Sequence, residues 1–222
     1  MSRRVPEFAL VTGVFLGVST TLAGVLFGWG FLTTSVLTAL ASYPFVAYAV
    51  VADDDPTTVL PPRPVLAAGA LFGLALFAAS LWADPSPANA FAALFVGLLV
   101  ALPPAAYAVR VDAGVNPLSP EATALAGVAS GALLVPLGIA SNAALYGAAD
   151  GLLVALSAAV YGSARGVRFS TRTKRAAVAA GIVLSLAVVG VGVVRGEPLG
   201  EWLLAAMALT LAPSLYSSVC ES

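Results

Sequence analysis

FALVTGVFLGVSTTLAGVLFGWGFLTTSVLTALASYPFVAYAVV, residues 8–51, runs for 44 positions without one charged side chain. A helix rises about 1.5 Å per residue and the hydrocarbon core of a bilayer is about 30 Å thick, so about 20 apolar residues make one crossing. The stretch is too long for a single span and suits two, with Gly28-Trp29-Gly30 as the turn between them. Working outward, residues 64–82, 89–109, 121–140, 143–164, 176–194 and 202–219 each offer one further apolar run of spanning length. The expected fold is all-α: a polytopic integral membrane protein with eight transmembrane helices.

Composition agrees. Hydrophobic residues make up 60% of the chain, charged residues 9%, and the mean hydropathy is +0.99, against roughly 25% charged residues in soluble domains. The longest connection, residues 52–63, is too short to hold a soluble domain, so residues 1–222 read as a single transmembrane domain. Arg3 and Arg4 ahead of an apolar run could suggest a secretory signal. That run is longer than a signal core of about 7–15 residues and continues into a second span, so it reads as an uncleaved first helix.

Histidine is absent and Cys220 is the only cysteine. A Cys/His zinc site, an iron–sulfur cluster and a bis-histidine haem are thereby excluded within one chain, and no cofactor is expected. Cys220 stands third from the end, whereas a prenylation box needs it fourth, which leaves a free thiol. The acidic residues gather in loops such as Asp53-Asp54-Asp55 and nine of the ten basic residues are Arg. This composition resembles that of proteins from salt-loving archaea, and of GC-rich genomes generally.

Positively charged loops stay in the cytoplasm. Arg3, Arg4, Arg63, Arg110, Arg165, Arg168, Arg172, Lys174 and Arg175 fall on one side of an eight-span topology, and only Arg195 on the other. Both termini are therefore expected in the cytoplasm of a cell-membrane protein. The expected surroundings are the lipid bilayer, with a partner membrane protein or a second copy of the chain. The basic run 165–175 suits topology and anionic headgroups, and nothing beyond it points to nucleic acid.

A weak repeat of about 55 residues accompanies this topology. The even-numbered spans end in YPFVAYAV, LPPAAYAV, LSAAVYGS and LAPSLYSS, with tyrosines at 48, 107, 161 and 216 and glycines 35, 38, 34 and 35 residues earlier, at 13, 69, 127 and 181. Each unit crosses twice, so the repeat reads as four tandem hairpins of parallel orientation. Interfacial anchoring near the cytoplasmic helix ends is the leading explanation of the tyrosines, and the repeat the alternative.

Few polar groups lie inside the spans. Asp150 either caps a helix beginning at Gly151 or, if that helix begins near Ala143, lies buried within it. At 100° per residue, Tyr146, Asp150, Ser157 and Tyr161 share about 60° of one helix face. That stripe could line a solute path or hydrogen-bond to neighbouring helices. Pro103-Pro104 is the expected helix break, read first as a structural kink and second as an unwound turn that could offer carbonyls to a ligand. Hydroxyls at Ser19 to Thr21 and Thr33 to Thr38 suit bonds to their own backbones. Catalysis is not expected, for the spans hold no acid–base pair and no nucleophile with its base. The leading expectation is a structural or accessory subunit of a membrane complex, and the alternative is a small permease or channel for a weakly polar or lipophilic solute.

Overall fold

The computed structural model describes residues 4–53, 55–111, 114, 116–167 and 170–196, together with 200, 202, 203, 206, 207, 209 and 210. Seven long helices follow in order: α1 Arg4–Leu26, α2 Phe31–Ala52, α3 Pro62–Ala83, α4 Pro87–Arg110, α5 Pro120–Ala140, α6 Ala144–Ala164 and α7 Thr171–Arg195. A 3₁₀ turn, Pro56–Thr58, lies between α2 and α3. All seven helices are long and apolar enough to cross a membrane, as expected of a polytopic membrane protein. Among the described residues the count is seven and not the eight expected. The eighth expected span, 202–219, falls mostly outside the described residues, although 202, 203, 206, 207, 209 and 210 are helical.

Local chemistry sets the boundaries. Residues 8–51 split where the sequence places the turn: Gly28 takes φ +65°, the Trp29 N–H donates to the Gly24 carbonyl (2.8 Å) and the Gly28 N–H to Val25 (3.4 Å). This is the Schellman closure, which satisfies carbonyls left over at a helix end. The α5–α6 turn repeats it with Asn142 at φ +55°, Ala143 donating to Gly138 (2.8 Å) and Asn142 to Ile139 (3.2 Å). Helix starts are equally explicit. Ser119 Oγ accepts the Ala122 N–H (3.2 Å) ahead of Pro120 in α5, and Ser86 Oγ accepts that of Asn89 (3.2 Å) ahead of Pro87 in α4, the capping pattern that proline at the first helical position favours. In the acidic loop, Asp53 Oδ1 accepts the Asp55 N–H (3.1 Å), and Asp55 Oδ1 accepts the Thr57 N–H (3.2 Å) and hydroxyl (2.6 Å). Both carboxylates shape the turn.

The chain divides into two compact units, one of Met1–Ala79 with Val96–Ala113 and the other of Ser80–Phe95 with Gly114–Ser222. In each, small residues let helix backbones meet. Lipid tails are as apolar as leucine, so close van der Waals packing rather than hydrophobic burial holds such helices together. In the first unit Gly13 packs against Phe45 and Ser42, Gly24 against Thr34, and Gly69 against Pro104. Thr21 bonds its own helix at the Gly17 carbonyl (2.9 Å) and meets Thr38 of α2 at 3.0 Å. In the second unit Gly127 meets Ala158, Gly131 meets Gly151, and Gly138 meets Gly147. A cluster of Val135, Ala148, Val188 and Trp202 joins α5, α6 and α7 to the helical residues beyond. There, Ser185 Oγ lies 2.7 Å from both the Ala206 carbonyl and Thr210 Oγ1.

The break expected at Pro103-Pro104 is not found, because α4 is helical through both prolines. Proline at 103 removes the N–H that would bond the Leu99 carbonyl. A neighbouring helix supplies the missing donor: the Tyr43 hydroxyl donates to that same carbonyl at 2.5 Å. With its orphaned acceptor satisfied, α4 has no need to unwind. Ahead of α3, the Tyr107 hydroxyl donates to the Leu60 carbonyl, also at 2.5 Å.

Two stability measurements on the full-length protein in detergent follow. A Cβ at Gly131 would collide with the Gly151 carbonyl, whereas one at Gly190 meets nothing within 4 Å. Gly131→Ala is expected to destabilise by about 1–3 kcal/mol through overpacking and lower the thermal midpoint, while Gly190→Ala leaves the midpoint level or higher. Tyr43→Phe should cost about 1–2 kcal/mol by stranding a half-buried helix carbonyl. In a Pro103→Ala background the helix regains its own donor, so the same change becomes nearly neutral; equal costs in both backgrounds would refute the pairing.

Candidate functional site

α6 begins at Ala144, with Ala143 preceding it and no side-chain cap. Asp150 is therefore the seventh residue of the helix, and the capping alternative is overturned. At about 1.5 Å per residue it stands about 9 Å from the helix start and about 6 Å from the midpoint. Among the described residues it is the only Asp, Glu, Lys or Arg more than five positions from an end of a membrane-length helix.

Its surroundings set it further apart. The side chain is 0% exposed, and neither Oδ1 nor Oδ2 has a hydrogen-bond partner. The other buried polar side chain among the described residues, Ser185, is fully bonded. An ionised carboxylate near the bilayer centre costs about 2.5–3.5 kcal/mol on insertion scales unless a partner or water receives it.

The helical period explains how the site is walled. Gly147, Gly151, Ala155, Ala158 and Gly162 form the seam that faces α5, where they meet Gly138, Gly131, Gly127 and Ala124. Asp150 lies about 100° around the helix from the centre of that seam. Ala148, which packs with Val188 and Trp202, is about 160° away from Asp150 on the opposite flank. On Asp150's own face, one turn toward the helix start, the Tyr146 ring packs against Phe95 of α4 with centroids 6.1 Å apart.

All four residues of the expected stripe thus lie on one face of α6. Asp150 is buried, while Tyr146, Ser157 and Tyr161 are each half-buried. The Arg165 guanidinium stands 5.8 Å from the centre of the Tyr161 ring. From Tyr146 to Tyr161 the stripe is about 22 Å long, most of the thickness of a hydrocarbon core. Pro103 and Pro104 belong to the other compact unit. Sequence reasoning missed the hydroxyl roles of Tyr43 and Tyr107; for Tyr43 the available signal was Pro103, four positions after Leu99.

No protein-family model, no curated protein and no solved structure matches the chain. The chemistry of the site must therefore be read from its own atoms. The Asp150 carboxyl group is fully buried and has no hydrogen-bond partner to compensate a charge on it. It can stay neutral by holding a proton, or hold a positive charge that reaches it.

Because Asp150 has no bond to lose, Asp150→Asn is expected to leave the thermal midpoint of the purified protein equal to or above that of wild type. A fall of several degrees would reveal a structural bond at the carboxylate.

Proposed function

We propose that the protein is a small permease for a weakly polar or lipophilic solute, with a path that follows the polar face of α6 past Asp150. The observation that carries this reading is the carboxyl group, fully buried and unbonded, about 6 Å from the middle of a spanning helix. A chain built only to pack would be more stable with an apolar side chain there. The half-buried Ser157 and Tyr161 extend the same face toward the far end of the helix. Catalysis is not part of this proposal.

The second reading is a structural or accessory subunit, partnered by another membrane protein or a second copy of the chain. Its support is the glycine-lined packing within each hairpin, which would make a rigid scaffold. In both readings we place the chain in the cell membrane with both termini cytoplasmic, on the strength of the nine-to-one distribution of basic residues. That topology includes an eighth crossing over 202–219.

The four-hairpin repeat is part of the same proposal. Gly13 packs on Phe45, Gly69 on Pro104 and Gly127 on Ala158, and each of these partners stands three positions before a repeat tyrosine, 48, 107 or 161. Three hairpins sharing one packing register support common descent from a single unit. The fourth tyrosine, Tyr216, lies outside the described residues.

Thiol labelling separates the two functional readings. In a Cys220→Ser background, a membrane-impermeant reagent should modify cysteine placed at 157 and spare cysteine placed at Val160, which is 63% exposed on an outward, lipid-facing flank. If position 157 resists the reagent as 160 does, the α6 path is lost and the scaffold reading takes its place.

A further inference from the structure

We infer that Asp150 is an exchange site at which a lipophilic organic cation and a proton compete for one carboxyl group. The inference rests on the permease reading and names its class of solute.

Charge neutrality is the starting point. α5 carries no charged residue between Ala122 and Ala140, and α4 none between Pro87 and Phe95. α7 holds its charges at its ends, with Arg172, Lys174 and Arg175 at one and Arg195 at the other. The Arg195 guanidinium lies 5.8 Å from the Trp202 ring, on the Ala148 flank that is turned about 160° from Asp150. On α6 itself the titratable neighbours are Tyr146 and Tyr161. No hydrogen bond or salt bridge neutralises the carboxylate. A proton or an incoming cation must do so, and one carboxylate accommodates one of them at a time.

The kind of cation follows from the walls. A small inorganic ion exchanges its hydration shell for several oxygen ligands, and no group of three or more His, Cys, Asp or Glu gathers among the described residues. On the face that carries Asp150, Tyr146 stands one turn away with its ring against Phe95, and Tyr161 stands farther along. Aromatic faces attract organic cations, and most strongly when both are desolvated. The exchange balances simply. The carboxyl O–H bond breaks, the proton leaves to water, and the cation's charge replaces it.

Tetraphenylphosphonium is a suitable probe, titrated into the purified full-length protein in weakly buffered detergent at neutral pH. Saturable binding is expected, with release of up to one proton per cation bound and an affinity that weakens by at most about tenfold for each unit of pH lowered. Asp150→Asn should lose at least tenfold in affinity together with all proton release. Asp150→Glu should keep both, which guards against an effect of misfolding in the Asn variant. Binding to Asp150→Asn as tight as to wild type, or binding without proton release at any pH, overturns the inference. If the probe fails to bind while cysteine at 157 is labelled, the cation class falls and the permease stands; if neither occurs, both fall.

Discussion

A peptide group inside a bilayer has no water to fall back on, and each unsatisfied N–H or C=O there costs several kcal/mol. This constraint governs the whole chain. It selects helices, it requires their ends to close, and it makes every internal proline a problem for some other residue to solve. The α1–α2 and α5–α6 turns close on themselves through left-handed residues. At Leu99 the solution is tertiary, a tyrosine hydroxyl supplied from elsewhere in the fold. Pro103 and Tyr43 thus form a pair about 60 positions apart in sequence, joined by a carbonyl that belongs to neither.

Against that background of satisfied groups, Asp150 is the exception. The seam beside it shows how tight the packing is, since glycine carbonyls and α-carbons of α5 and α6 meet where no side chain would fit. A fold able to provide a tyrosine for a single orphaned carbonyl has left both oxygens of a carboxyl group without a partner. Unpaired buried polarity is costly, and among the described side chains it falls on one face of one helix.

Much of this architecture was legible in the chain. Apolar run length located seven helices, because the bilayer fixes a length and composition reveals it. The turn at Gly28 to Gly30 was legible because glycine suits the left-handed closure. Asp150 was harder: whether it capped α6 or lay inside it turned on where that helix begins, and Asn142 in the left-handed conformation ends α5 early enough for α6 to start at Ala144. The continuity of α4 is not legible in sequence, because proline's local effect is visible there while its remedy is not. The Tyr43 hydroxyl comes from a helix 56 positions away, and no local pattern announces it.

The three-residue connection at Ser141 to Ala143 also bears on how the protein reaches the membrane. α6 leaves the ribosome directly behind α5, and the turn between them closes through local backbone bonds alone. Released singly into lipid, α6 would expose its carboxyl group to hydrocarbon. Inserted together with α5 as a preformed hairpin, it crosses with its glycine seam already covered and with Asp150 shielded along one flank. This three-residue turn thereby lowers the barrier to insertion of the helix least suited to enter lipid alone.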